Sequence, residues 1–406
     1  MAAATPSAAA ARYLRWMLAT VVATVLLTGA FNLVVDPLDV VGAPSIAGFN
    51  AVKPYLDHHR ELVRWRSALR HCPSAAVFGN SRAEIGLDPE NPLFARQGLN
   101  AVNQAIPGTD ATMTLRQLRW LQAAGCMPRL VVLGVEFFDF LGGSPAKALA
   151  SAAADPPPRL DAQWLADAVF SITGLDDSLT TLVAQRARYP ATLTDRGFNP
   201  LRNYLAEVER EGHYPLFRQR ALENARNWSR RPPRLRPPDG SMSSDEQTLE
   251  AILDLASAAG SKVQVVIYPY HAQIRMMLER LGLGGLFGEW KHGLVEMAAR
   301  QASRGGAVEV WDFSGLSAQT QEAIPLATDR KTRMQFYWEA GHFKSALGDQ
   351  MLATLLARQP GFGLRLQPDN VDAWVAQDRA AVRALLDTAS PLGDEVDIVL
   401  GRARLH

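Results

Sequence analysis

Two short runs without a polar residue, 75–79 and 130–135, most constrain what this chain can fold into. A strand with one wet face alternates apolar and polar residues. A run that is apolar at every position is buried on both faces, as in a parallel sheet covered by helices. Residues 99–106, closed by Pro107-Gly108, read as another strand, and 263–268 and 308–313 repeat the pattern downstream. Helical spacing separates them. Met113, Leu115, Leu118 and Leu121 lie on one face of a helix over 110–124, with Thr109 or Asp110 as its cap. Ser243 or Ser244 caps a second helix that ends before Gly260, and further helices are expected over 57–69, 288–303 and 346–356. Strand and helix alternating in this way predict an α/β fold around a parallel sheet.

The amino end imposes a second constraint. Residues 16–35 carry no charge, and Asn32 is the most polar among them. As a helix they span about 30 Å, the thickness of a bilayer's hydrocarbon. Arg12 and Arg15 precede the run and Asp36 follows it. The positive-inside rule therefore puts 1–15 in the cytoplasm, 16–35 across the inner membrane as a single anchor, and the rest in the periplasm or outside. The rival is a cleaved signal peptide, whose apolar core is normally shorter, ~7–15 residues. Residues 36–70 read as a juxtamembrane connector and helix. The α/β rhythm occupies 71–141 and 242–358. Between them, 142–241 carries Pro156-Pro157-Pro158, Pro232-Pro233 and Pro237-Pro238 around helical stretches at 161–172 and 201–210. It is expected to be a helical insertion capping the sheet's carboxyl edge; the alternative is a partly disordered linker. A helical tail, 359–406, closes the chain.

With 406 residues, 48% of them hydrophobic, the chain can bury a large core, and a net charge of +1 leaves no nucleic-acid footprint. The two cysteines lack zinc spacing and no Cys/His cluster stands out, so neither a metal nor another cofactor is expected. What chemistry the sequence offers is nucleophilic. Ser81 follows the first core strand in Gly79-Asn80-Ser81-Arg82, at the strand end where open α/β sheets bind ligands. Far downstream, Glu339 and His342 stand three apart. At the start of a helix or in a tight turn both reach the same side. A carboxylate there fixes the imidazole tautomer, leaving the other ring nitrogen to take a hydroxyl proton. Ser81, His342 and Glu339 would then form a relay.

Gly79-Asn80-Ser81-Arg82, Pro107-Gly108 and Glu339-x-x-His342 together resemble the SGNH hydrolase superfamily. The resemblance is to its exported, membrane-anchored branch of alginate O-acetyltransferase-like and related polysaccharide- or teichoic-acid-modifying proteins. It covers roughly 70–140 and 245–357. It implies a flavodoxin-like three-layer α/β/α parallel sheet, here with a helical insertion and an N-terminal transmembrane helix. It also implies acyl-ester chemistry: Ser81 as nucleophile, His342 as base, Glu339 as its orienter, and backbone N–H groups at Ser81 or Arg82 and at Gly108 as oxyanion hole. Two positions depart from the family pattern. Glutamate stands where aspartate is usual, and Gly134-Val135-Glu136 follows the third strand where an oxyanion-binding asparagine is usual. Losing one donor costs roughly 10²–10³ in rate.

Arg82 is expected either to bind an anionic substrate or to pair with Glu136. Tyr268, Tyr270 and His271 end another strand at the same edge, where they either line a sugar site or pack. Asp312 is expected to cap a turn. In the flavodoxin-like order the first and third strands are neighbours, so Cys72 and Cys126, just before them, can form a disulfide at the amino edge. The function implied is a membrane-anchored extracytoplasmic serine acyltransferase that O-acetylates a cell-envelope or secreted polysaccharide. Its partners would be that glycan and a membrane protein exporting acyl groups. The alternatives are an esterase of the same mechanism and a catalytically degenerate glycan-binding or scaffold protein.

Overall fold

In a computed structural model of the chain, residues 8–39, 41–144, 155–158 and 162–403 are described. The elements begin with α1 (Ala8–Val35), α2 (Arg60–His71), β1 (Ala75–Phe78), α3 (Ser81–Gly86) and α4 (Pro92–Arg96). Next come β2 (Ala101–Asn103), α5 (Ala111–Ala123), β3 (Leu130–Val135), α6 (Phe137–Phe140), α7 (Ala162–Phe170) and α8 (Ile172–Ala184). Then follow α9 (Tyr204–Glu211), α10 (His213–Ser229), α11 (Ser244–Ala258), β4 (Lys262–Ile267), α12 (Ala272–Arg280) and α13 (Gly284–Ser303). The chain closes with β5 (Ala307–Asp312), β6 (Tyr337–Glu339), β7 (His342–Phe343), α14 (Ser345–Ala357), β8 (Leu364–Leu366), α15 (Val371–Asp387) and α16 (Pro391–Ala403). Two units result, Met1–Val63 with Pro158–Leu193 and Arg64–Pro157 with Thr194–His406.

The larger unit is built on a six-stranded sheet in the order β2-β1-β3-β4-β5-β8. The first five strands are parallel, with Phe78 beside Leu133, Val135 beside Ile267, and Ile267 beside Asp312. Every position of β1, β2 and β3 is buried, so both faces are covered, as their unbroken apolar runs require. Asp110 caps α5 through the Thr112 N–H, and Ser243 caps α11 in a reciprocal box with Glu246. On the other side of the nucleophile strand, α14 packs on α3 and α4. A Cβ at Gly348 would lie 1.7 Å from the Gly86 carbonyl oxygen, so only glycine allows that approach.

Several expectations are corrected here. Of the strand expected over 99–106, only Ala101–Asn103 pairs. Val308–Phe313 is not the last strand of the sheet: β8 adds an antiparallel edge on β5, three residues too few to leave a periodic signal. The tail forms α15 and α16 and packs into the core: Val371, Val382, Val396, Val399 and Leu400 are buried, and Asp378 of α15 holds Arg275 at 2.8 Å and Lys291 at 3.0 Å. The insertion divides. Residues 194–241 belong to the sheet's unit, where α10 packs on β6, whereas 158–193 belong with α1. Cys72 and Cys126 form a disulfide, with Cα atoms 5.0 Å apart, at the amino ends of the neighbouring strands β1 and β3.

In the smaller unit, α7 and α8 pack on each other and on α1. α1 has 28 residues, a mean hydropathy of 2.1 over its apolar window and little buried surface. It is long and apolar enough to cross a membrane, a test that a signal sequence passes as well.

Candidate active site

β1 delivers Ser81 to the sheet's carboxyl edge through a turn that needs glycine. Gly79 has φ +140, and a Cβ there would lie 2.4 Å from the Tyr268 hydroxyl; one at Gly134, the equivalent end of β3, would lie 2.1 Å from it. The two glycines make room for that phenol behind the turn. Asn80 then caps α3, its Oδ1 accepting the Arg82 N–H at 3.1 Å, and Ser81 becomes the first residue of the helix.

Glu339 and His342 are held by the hairpin of β6 and β7, not by a helix. They are cross-strand partners flanking the tight turn Ala340-Gly341. Ser81 Oγ lies 2.8 Å from His342 Nε2, across 261 positions of sequence. His342 Nδ1 contacts Glu339 Oε1, and Glu339 Oε2 accepts the Gly341 N–H at 2.7 Å. Burial alone would raise the Glu339 carboxyl. The His342 ring, the Arg220 guanidinium and the Gly341 N–H outweigh it and hold the group down to about 2. An ionised carboxylate only accepts, so Nδ1 carries the proton and Nε2 is left to accept from the serine hydroxyl. Glu339 is 2% exposed, while Ser81 and His342 are half-buried and reachable from solvent. Such a triad can take a proton from a hydroxyl and stabilise the imidazolium that results.

Arg82 is a clamp. Its Nε donates to the Gly341 carbonyl at 2.6 Å, and its guanidinium pairs with Glu136. The ring centroids of Tyr268 and Tyr270 lie 5.9 Å and 5.7 Å from its Cζ. It thereby joins the serine helix, the histidine turn and the end of β3. Burial opposes its charge, yet Glu136, the two tyrosines and Glu339 raise its pKa. Of the two roles open to Arg82 in sequence, the pairing with Glu136 is the one formed. Glu136 in turn accepts from the Tyr270 hydroxyl at 2.5 Å and is occupied away from Ser81. The Arg82 N–H is engaged by Asn80, which removes it from the expected oxyanion donors. Ser81 N–H, at a first helical position, has no intrahelical acceptor. Gly108 is exposed at φ +72, and its N–H has no acceptor among the described residues.

Tyr268, Tyr270 and His271 do not form a sugar platform. All three are within 1% of full burial, so no ring face is open to stack on. Their position after β4 was legible, but the direction they face was not. His271 Nε2 meets the Glu322 carbonyl at 2.8 Å and its ring packs edge-on against Tyr337. Asp312 does cap, accepting the Ser314 N–H at 2.8 Å, but it also pairs with Lys291 at 2.7 Å and accepts the Trp374 indole N–H at 2.7 Å.

Three residues near the site left no signal in sequence. Arg220, from α10, puts Nε 3.6 Å from Glu339 Oε1. His213 opens the same helix and bridges the Trp338 carbonyl and the Met334 N–H, both at 3.2 Å. Asp139 lines a small cavity with Gly79, Asn80 and Glu136, and burial, then the Glu136 charge, pushes it up to about 8. The first two lie in the insertion, whose docking face has no periodic marker. Among the described residues no group of three His, Cys, Asp or Glu side chains is arranged to hold a metal ion. The chain matches no protein-family model and no curated protein.

Proposed function

We propose that the chain is a serine acyltransferase of SGNH type, working through an acyl-Ser81 intermediate on an extracytoplasmic glycan. One observation carries this: the 2.8 Å approach of Ser81 Oγ to His342 Nε2, with the ionised Glu339 behind the ring. The strand order β2-β1-β3-β4-β5, which flavodoxin-like sheets share, supports it, and the disulfide supports an oxidising compartment. In the first half-reaction His342 Nε2 takes the Ser81 proton as Oγ adds to the donor's carbonyl carbon. The tetrahedral oxyanion turns toward the Ser81 and Gly108 N–H groups. Collapse breaks the bond to the leaving group, which departs with the proton from His342. In the second half, His342 deprotonates a sugar hydroxyl as it attacks the acyl-serine carbonyl; collapse breaks the bond from the acyl carbon to Ser81 Oγ, which takes the proton back from His342. Water in place of the sugar makes the same cycle an esterase. Membrane tethering favours transfer, because it would hold the domain beside a membrane protein that exports acyl groups.

The test is incubation of the purified chain with a chromogenic acetate ester, with and without acetyl-free polysaccharide. The expected result is an acetyl adduct on Ser81 by mass spectrometry and its transfer to the glycan, both lost in Ser81→Ala. Wild type with no adduct and no turnover, and unchanged glycan acetylation in cells carrying Ser81→Ala, would sink catalysis. A glycan-binding scaffold would then stand, a reading favoured by the carboxylate of Glu136 where a donor is usual.

A further inference from the structure

We infer that α7 and α8 form a re-entrant hairpin whose tip, Phe170–Ile172, is embedded in the same lipid leaflet as the C-terminal part of α1; this rests on α1 being a membrane span. The depth follows from contacts within the smaller unit. The Phe170 ring lies against Gly29, where a Cβ would come within 2.4 Å of it. Gly29 is six residues inside the end of α1 at Val35, or about 9 Å at 1.5 Å per residue. Whatever touches Gly29 shares that depth. α8 then climbs outward: Ser178 Oγ reaches Asn32 Oδ1 at 2.8 Å, and beyond the helix Gln185 bonds the backbone of Val52 in both directions, at 3.0 and 2.7 Å.

The most exposed large apolar side chain of the hairpin sits at its tip, although Leu179 and Val183, farther out on α8, are exposed as well. At the tip, Phe170 is 48% exposed and Ile172 86%, a heavy apolar exposure for an aqueous turn. The exposed Asp167 and Asp176 lie about one helical turn further out, toward the head groups. The amide that α1 carries near that depth is satisfied within the protein, as lipid demands, although Thr173 at the tip is exposed. The Asn32 amide, 2% exposed, donates to the Val169 carbonyl at 2.8 Å and accepts from Ser178. At the break between the helices, Ser171 accepts the Gly174 N–H at 2.9 Å and caps α8. Gly29 and Gly174 allow the close approach by which helices associate in lipid. Leu26 and Leu27 of α1, within one helical turn of Gly29, are exposed too, so lipid that covers them reaches the depth of the tip.

Site-directed spin labelling of the full chain in phosphatidylethanolamine–phosphatidylglycerol vesicles tests this. Both native cysteines are in the disulfide, so a label attaches only to an introduced thiol. Nitroxides at Leu27→Cys and Ile172→Cys are expected to collide more with oxygen than with a water-soluble nickel chelate, and one at Arg186→Cys the reverse. A label at 172 as open to nickel as that at 186, with 27 still in hydrocarbon, overturns the hairpin alone. A label at 172 immobilised and shielded from both quenchers means a protein covers the tip, and also overturns it. If 27 is aqueous too, the anchor has failed and the hairpin falls with it.

Discussion

Replacing Glu339 by glutamine keeps the shape of the side chain and removes its charge. The carboxyl is depressed from 4.5 to about 2 in the folded chain, and it is 2% exposed, so screening by solvent is slight. That depression corresponds to about 3 kcal/mol of favourable interaction between the ionised group and its surroundings. If that interaction serves the imidazolium formed when Ser81 surrenders its proton, losing it raises the barrier enough for a loss of about 10² in rate. The amide adds a second fault. An NH₂ facing Nδ1 turns the imidazole to the wrong tautomer, with the proton on Nε2, and in a serine triad this brings the loss toward ~10⁴. The expected window is therefore about 10²–10⁴ in kcat, measured with the chromogenic ester. Stability has its own signature. A depressed carboxylate stabilises the fold above its unfolded pKa of 4.5, and that contribution is lost as pH falls through about 2. Urea unfolding should find the variant less stable by up to about 3 kcal/mol at pH 7, with the gap closing in acid. Activity within about threefold of wild type, alongside an inactive Ser81→Ala, would show that the carboxylate neither orients nor stabilises His342.

Removing the disulfide by Cys72→Ser with Cys126→Ser frees a loop of 54 residues, for which chain entropy gives a loss of about 4 kcal/mol in urea unfolding. Ester turnover should survive, since the bridge is at the opposite edge of the sheet from Ser81. Asp378→Ala leaves the buried Arg275 cation without its carboxylate, Lys291 keeping Asp312, and should destabilise by roughly 3–5 kcal/mol, with the loss of α15 docking read by hydrogen exchange. His213 and His271 are each held by burial at about 4, against 6.5 in the unfolded chain. The unfolded chain therefore binds the extra protons, and stability present above pH 6.5 should fall as pH drops toward 4. His271→Gln should flatten part of that slope; an unchanged slope would mean that His271 does not titrate in this range.

What was legible in sequence was whatever local chemistry or strand burial writes into neighbouring residues. The apolar runs at 75–79 and 130–135 became β1 and β3 because a strand buried on both faces must be apolar throughout. Asp110 and Ser243 announced their helices because a cap bonds to N–H groups only two or three residues away. Ser81, His342 and Glu339 were recognisable as a candidate set from their side chains and spacing, and the two cysteines from the expected neighbourhood of their strands. Tertiary packing alone decided the rest. The directions of Arg82, Tyr268 and Tyr270 depend on which cavities the folded chain leaves open: Arg82 and Tyr270 close on Glu136, and Tyr268 turns into the space left by Gly79 and Gly134. The fate of the insertion depended on two helical faces finding partners more than a hundred residues away: one meets Asn32 and Gly29 on α1, the other the hairpin that carries Glu339. A sequence records which faces are apolar. Which surface each will meet is set only when the whole chain competes for the same buried space.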